Sequence, residues 1–431
     1  PAKSWLALTQ LEGATHRLVL THKERFHEIA CKWPSTSQSP QSELLSFRYA
    51  KCELTFGDIG KQMLVSFAAL LVFALNGTAM QPSASDDIYA PGRKIISEID
   101  RIVSPNGVQE TFEVVLGGAR QIVNVRGSDR ANPILLFVHG GPGAVEMPVA
   151  WAFQRPWEDF FTVVQWDQRG AGRSFPLNNP KTLAPTLTPE RYRDDAIELI
   201  QLLCNKYHKR KILLVGHSWG SIVGLSVAIK RPDLLYAYIG MGQIIDFREN
   251  ERVGYEWTLE QAHNDHNAKA LQELEALRPY PGSGAFDIQK MTTERKWSIH
   301  YGALAAGRDN AEFYFQAPHL SPLYTAADIK AWHDGSAFTI TTMFPKLADI
   351  TFKDVHSLPV PVFLFTGRHD YTAPWPIAQT WLTQVKAPKK EMVWFENSAH
   401  LPMIEEPGHM LKELLDHVRP LAVEDSNQSG H

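Results

Sequence analysis

From residue 94 onward, short apolar runs alternate with segments of helical period, a pattern that predicts an α/β domain. "ETFEVVLGG" and "RQIVNVRG" read as a hairpin around Gly117-Gly118. "NPILLFVHGGPG" reads as a buried strand that breaks into glycines, and "FFTVVQWDQRG" as a strand ending in a polar loop. In "TPERYRDDAIELIQLLCNKYH", Thr188 stands as an N-cap with Pro189 at the first helical position. Ile197, Ile200, Leu203 and Cys204 then fall on one helical face. "KILLVG" is a strand, "SIVGLSVAIKRP" a helix stopped near Pro232, and "LLYAYIG" a strand again. "VPVFLFTG" and "KEMVWFE" add two strands much later. The last helix falls in "MIEEPGHMLKELLDHV", with Pro407 and Gly408 marking a bend or a late start. The fold expected is a mostly parallel sheet with helices on both faces.

Between the sixth and seventh of these strands the strand signals stop. Residues 241–359 read as helix and loop with Trp257, Trp297, Tyr301, Phe313, Tyr314, Phe315 and Trp332 spread through them. A structureless loop of that length is improbable in a compact domain, so the stretch predicts a helical cap over the end of the sheet. The core is then 94–240 plus 360–420.

The first 90 residues read differently, as a leader outside the core. Up to residue 62 no period of 2 or 3.6 persists. Met63 to Leu75 is apolar except for Ser66, too short a run for a bilayer core of ~30 Å. It has the length of a signal-peptide apolar region, with Lys61 before it and small residues Gly77-Thr78-Ala79 after it. Segment 63–79 is therefore expected to direct export; without that role the location expected is cytoplasmic, and a buried helix is the alternative reading of the run.

Composition narrows the class. Of 431 residues, 43 are basic and 47 acidic, a net charge of −4 that gives no electrostatic reason to expect nucleic acid as a partner. The three cysteines, Cys31, Cys52 and Cys204, leave only one in the core, so no disulfide framework is expected there. His263 and His266 form H-x-x-H without an evident third ligand, so no metal is expected there.

The chemistry centres on "LLVGHSWGS". Gly216-His217-Ser218-Trp219-Gly220 fits G-x-S-x-G between a strand and a helix. A serine on such a tight turn stands clear of the backbone, which requires small residues two positions away on each side. The Trp219 N–H, at a helix start, would face a developing oxyanion. A nucleophilic serine needs a base and an orienting acid. Asp370 follows the strand "VFLFTG", and His400 follows the next one, in the order Ser, acid, His. All three lie past strand ends, at the carboxyl edge of the sheet, where ligands bind in such folds. Asp167, at the end of an earlier strand, is a rival acid, and His217 should pack behind the nucleophile. In His139-Gly140-Gly141-Pro142-Gly143 the Gly141 N–H is the second oxyanion donor expected, with Gly140 beside the substrate.

These motifs resemble the prolyl iminopeptidase branch of the α/β-hydrolase superfamily. The resemblance rests on "HGGPG" at 139–143, "DQRGAGRS" at 167–174, "GHSWGS" at 216–221, "GRHD" at 367–370 and "SAHLPMIEEP" at 398–407. It implies an α/β-hydrolase fold, a Ser218–Asp370–His400 triad, an oxyanion hole at Gly141 and Trp219, and no cofactor. The implied substrate is a short peptide or arylamide from which N-terminal proline or a similar residue is released. The resemblance departs at His217, where prolyl iminopeptidases carry Gly. Such enzymes need cap carboxylates for the substrate amine; Glu249, Glu251, Glu256 and Glu260 are the candidates, Glu256 first. A carboxylesterase acting on small or aromatic esters is the alternative, since the same acyl-enzyme chemistry serves both. A dehalogenase or epoxide hydrolase would need Asp at position 218, and a non-catalytic binding module would not need the three residues together.

Overall fold

The computed structural model describes residues 87–428, together with the backbone of three strands nearer the start. Those strands, β1 (Ala7–Thr9), β2 (Thr15–His22) and β3 (Arg25–Lys32), pair antiparallel within a separate unit, Pro1–Gln62. These strands form although no period of 2 or 3.6 persists in that stretch. The run Leu18-Val19-Leu20 inside β2 does not alternate, so the period of 2 that marks a half-buried strand was absent. Segment 63–79 lies outside the described residues.

The second unit carries an eight-stranded sheet in the order β11-β10-β9-β8-β6-β7-β5-β4. Its members are β4 (Val108–Leu116), β5 (Ala119–Gly127), β6 (Ile134–Val138), β7 (Thr162–Asp167), β8 (Ile212–His217), β9 (Leu235–Met241), β10 (Val362–Gly367) and β11 (Lys390–Phe395). β4 and β5 form the expected hairpin, with Leu116 opposite Ala119 across Gly117-Gly118. From β7 to β11 every neighbouring pair is parallel. The chain winds outward from β6 to β7, then returns to lay β8 on the other flank of β6. This reversal of direction at β6 is the kind of switch point at whose carboxyl edge such sheets bind ligands.

The central strands read as continuous apolar runs because both of their faces are covered. Along β6, Ile134, Leu136 and Val138 join one buried cluster, with Leu199 and Leu203 of the Pro189–Tyr207 helix. Leu135 and Phe137 join the other, with Met410, Leu414 and Val418 of the C-terminal helices. The Pro189–Tyr207 helix begins as its sequence predicts: the Thr188 hydroxyl accepts from Arg191 N–H at 3.2 Å. Helix Pro402–Glu405 breaks at Glu406 and resumes as Pro407–Glu413, so Pro407 and Gly408 mark a bend between two helices and not a late start.

Between β9 and β10 stand helices Phe247–Asn264, Ala268–Glu275, Ile288–His300 and Ala326–Met343. The last packs against the glycine loop after β6; a Cβ on Gly143 would lie 3.0 Å from Thr339 Cβ. The start of the described chain differs from the expected boundary at 94. Helix Ala90–Ile99 straddles it, Arg93 pairs with Asp87 and donates to the His319 carbonyl at 3.1 Å, and Tyr89 stacks on His319. Among the described residues no helix is long and apolar enough to cross a membrane.

Candidate active site

Ser218 ends β8 and begins the Trp219–Lys230 helix, with φ +53° and ψ −119°. A non-glycine residue with positive φ is strained, and the surroundings here over-determine it. Its N–H donates to the Met241 carbonyl at 2.8 Å and its carbonyl accepts from Ser221 N–H at 2.8 Å. The flanking glycines are sterically required. A Cβ on Gly216 would stand 2.3 Å from the Gly220 oxygen, and one on Gly220 would stand 2.0 Å from the Val138 oxygen. The turn thus presses the helix start against the end of β6, and only glycine permits that approach.

Asp370 and His400 meet as the chain order suggested. His400 Nδ1 lies 2.9 Å from Asp370 Oδ2, both side chains buried. Asp370 Oδ1 accepts from Ala373 N–H at 2.8 Å, which fixes the carboxylate. With Nδ1 turned to Asp370, the other ring nitrogen of His400, Nε2, is not engaged by the carboxylate. The His400 loop is set from several sides. Its N–H donates to the Leu304 carbonyl at 3.1 Å, and Glu405 accepts from Ala399 N–H at 2.9 Å. Beneath it, a Cβ on Gly367 would meet the Ala399 oxygen at 1.9 Å, so the end of β10 packs directly under the β11 loop. His400 stands beside the serine turn, its ring 4.8 Å from that of His217.

The glycine loop after β6 comes over Ser218. A Cβ on Gly140 would lie 3.1 Å from Ser218 Cβ. Gly140 N–H is turned toward Glu146 and Ala144 N–H toward the Gly140 oxygen, which leaves Gly141 N–H without an acceptor among the described residues. Trp219 N–H, first in its helix, likewise has no intrahelical acceptor. The Trp219 side chain is buried, its Nε1–H donating to Gln168 Oε1 at 3.2 Å.

The rival acid has other company. Asp167 is buried at the end of β7, where Oδ2 accepts from Tyr324 O–H and from Arg173 N–H. Its Oδ1 has no partner among the described residues. Burial outweighs those two donors and pushes the carboxyl up to about 7. A carboxyl raised in the folded state adds stability below its unfolded value near 4 and loses it as pH rises through about 7. Asp167→Asn should remove that dependence. Its thermal midpoint is expected to fall less than that of the unaltered chain between pH 5 and 8, read by calorimetry; identical slopes would show that Asp167 titrates normally.

Three of the four candidate cap carboxylates are engaged by arginine, while the fourth, Glu260, is exposed and its charge acts on Tyr371, next to Asp370. Glu249 and Glu256 both hold Arg252, at 2.6 Å each. Glu256, 56% exposed, lines an open groove with Tyr255, Leu259, Arg278, Pro279 and Tyr280, a lining that holds none of Ser218, Asp370 or His400. Glu251 is fully buried on Arg295 and Tyr280. Glu294, which sequence reasoning missed, shares that guanidinium. Also missed was Glu146, whose signal was an acidic residue inside the apolar run "AVEMPVAW". Among the described residues no cluster of three or more His, Cys, Asp or Glu forms a metal site.

A family model described as alpha/beta hydrolase fold matches residues 133–407. The chain belongs to this family. A Bacillus subtilis protein named probable aminopeptidase YbaC is 32% identical over 311 residues, which is 71% of this chain and 95% of the relative. A Clostridium botulinum proline iminopeptidase is 26% identical over 63% of this α/β hydrolase and 85% of its own length. The crystal structure of a Mycobacterium smegmatis proline iminopeptidase shares the fold, with TM-score 0.52 at 16% identity, covering 73% of this chain and all of that one.

Proposed function

We propose that this α/β hydrolase is a serine hydrolase that works through an acyl-enzyme on Ser218. His400 Nε2 takes the Ser218 proton as the hydroxyl attacks a carbonyl, and Asp370 holds the imidazole and stabilises its cation. Gly141 N–H and Trp219 N–H receive the oxyanion. His400 then delivers its proton to the leaving group, and water repeats the cycle to free the acid. The observation that carries this reading is the strained Ser218 turn beside a buried His400–Asp370 pair at 2.9 Å. Residues 241–359 act as the cap that closes over the site.

The substrate proposed is a short peptide or arylamide with a free N-terminus, from which proline or a similar residue is released. The similarity to proteins named aminopeptidase and proline iminopeptidase supports it. One observation favours a second reading, hydrolysis of small carboxylic esters. A cationic amine entering a desolvated pocket needs a carboxylate to pair with it, and of the four candidates Glu249, Glu251 and Glu256 are each already paired with arginine, which leaves the exposed Glu260. An ester needs only an apolar acyl pocket. The decisive comparison sets a proline arylamide with a free amine against its N-acetylated form and a short acyl ester. Peptidase action predicts cleavage of the free-amine arylamide, at least about tenfold faster than the acetylated one, the effect of losing one charge-paired contact. Fast ester turnover without arylamide cleavage would decide for the esterase.

A further inference from the structure

The residue before the nucleophile is a buried histidine with two partners. His217 Nδ1 lies 2.6 Å from Glu146 Oε1, and Nε2 lies 2.9 Å from the His400 carbonyl oxygen. A carbonyl only accepts, and so does an ionised carboxylate. With Glu146 as the carboxylate, each ring nitrogen has to donate, which makes the ring an imidazolium. His139, in the same cluster, has the opposite complement. Its Nδ1 faces the Gly140 oxygen at 2.9 Å, while Nε2 receives Gln168 N–H at 3.2 Å, so that ring is neutral. The electrostatics run the same way. Burial lowers His139, whereas at His217 the Glu146 carboxylate overcomes burial and raises it.

The contacts of this pair span three chain segments. Glu146 sits in the loop after β6 and faces Gly140 N–H with both oxygens, at 3.4 and 3.3 Å. His217 ends β8, one residue before Ser218. His400 belongs to the loop after β11. A link from Glu146 through His217 to the His400 backbone thus joins the glycine loop, the serine turn and the base loop. The pair is neutral as a whole, so it can fix geometry without opposing the charge that His400 acquires.

We propose that Glu146 and the His217 imidazolium are positioning residues that lock the oxyanion loop, the nucleophile and the base in mutual register. The proposal rests on the triad reading above. Misplacing a reacting group by about 1 Å can cost on the order of 100-fold in rate, and three independent loops offer that freedom. The titratable groups facing the pair are Asp370, His139, His400 and Tyr314.

The test uses full-length protein with 15N-labelled histidine, with His217→Gln to assign the resonances. At pH 7 both His217 ring nitrogens should show protonated shifts, and Glu146→Gln should convert one to the unprotonated type. In kinetics, Glu146→Gln should lower kcat about 10–100-fold with KM changed by less than about threefold. Glu146→Asp should recover part of the loss. Glu146→Gln/His217→Gln should be no worse than the poorer single variant, because the two act as a unit. A His217 ring with one unprotonated nitrogen in the unaltered protein would overturn the proposal, and so would an unchanged kcat in Glu146→Gln. If Glu146→Gln does not fold, the histidine spectrum of the unaltered protein and the kinetics of Glu146→Asp still decide it. Failure of the triad reading would look different: an organophosphonate would then leave Ser218 of the unaltered protein unlabelled, whatever the His217 spectrum shows.

Discussion

Ser218→Ala should fold normally and lose on the order of 10⁴-fold or more in kcat on any ester or arylamide the unaltered protein cleaves. The substitution removes one oxygen atom from a partly exposed side chain, so the strained turn and its backbone bonds to Met241 and Ser221 persist. What disappears is the atom that forms the acyl bond. His400→Ala and Asp370→Asn should lower turnover by comparable or somewhat smaller factors, and their combinations should not multiply, since the three serve one step. Steady-state assays with a p-nitrophenyl ester check this. Substantial turnover in Ser218→Ala, beyond trace contamination, would mean that another group attacks.

The second large effect is on folding. Gly220→Ala places a methyl group 2.0 Å from the Val138 carbonyl oxygen, a backbone atom at the end of a fully buried central strand. Neither side can yield cheaply, because β6 is paired on both flanks and the Trp219–Lys230 helix is packed across it. Overpacking in a core commonly costs about 1–3 kcal/mol, and a clash with backbone belongs above that range. The variant should be recovered poorly or melt far below the unaltered protein, by more than about 5 °C. Gly408→Ala is a control at a glycine with open space around its Cβ and should melt normally. A Gly220→Ala protein as stable as that control would show that the serine turn is looser than its geometry implies.

The elements legible in the sequence were those with local signals. A Thr-Pro helix start, a Gly-Gly hairpin and double-faced apolar strands each announce themselves within a few residues. The serine turn did so as well, since its steric demand writes glycine at both flanking positions. Asp370 and His400 could be placed because each follows a strand and the sheet brings strand ends to one edge. Glu146 could not be matched to His217, because 71 positions separate them and no periodicity links a loop carboxylate to a strand-end histidine. The same holds for Glu251, Glu294 and Arg295, which meet across two cap helices. Glu256 looked poised for a substrate amine from its aromatic neighbours in sequence. Helical geometry instead pairs it with Arg252, four residues back on an exposed face.

The most direct test of the central claim is covalent capture. The full-length protein is treated with a fluorophosphonate, digested, and mapped by mass spectrometry. A single stoichiometric adduct is expected on Ser218, lost in Ser218→Ala and formed far more slowly in His400→Ala. An adduct on a different residue, or ester hydrolysis that continues undiminished after complete labelling of Ser218, would contradict it.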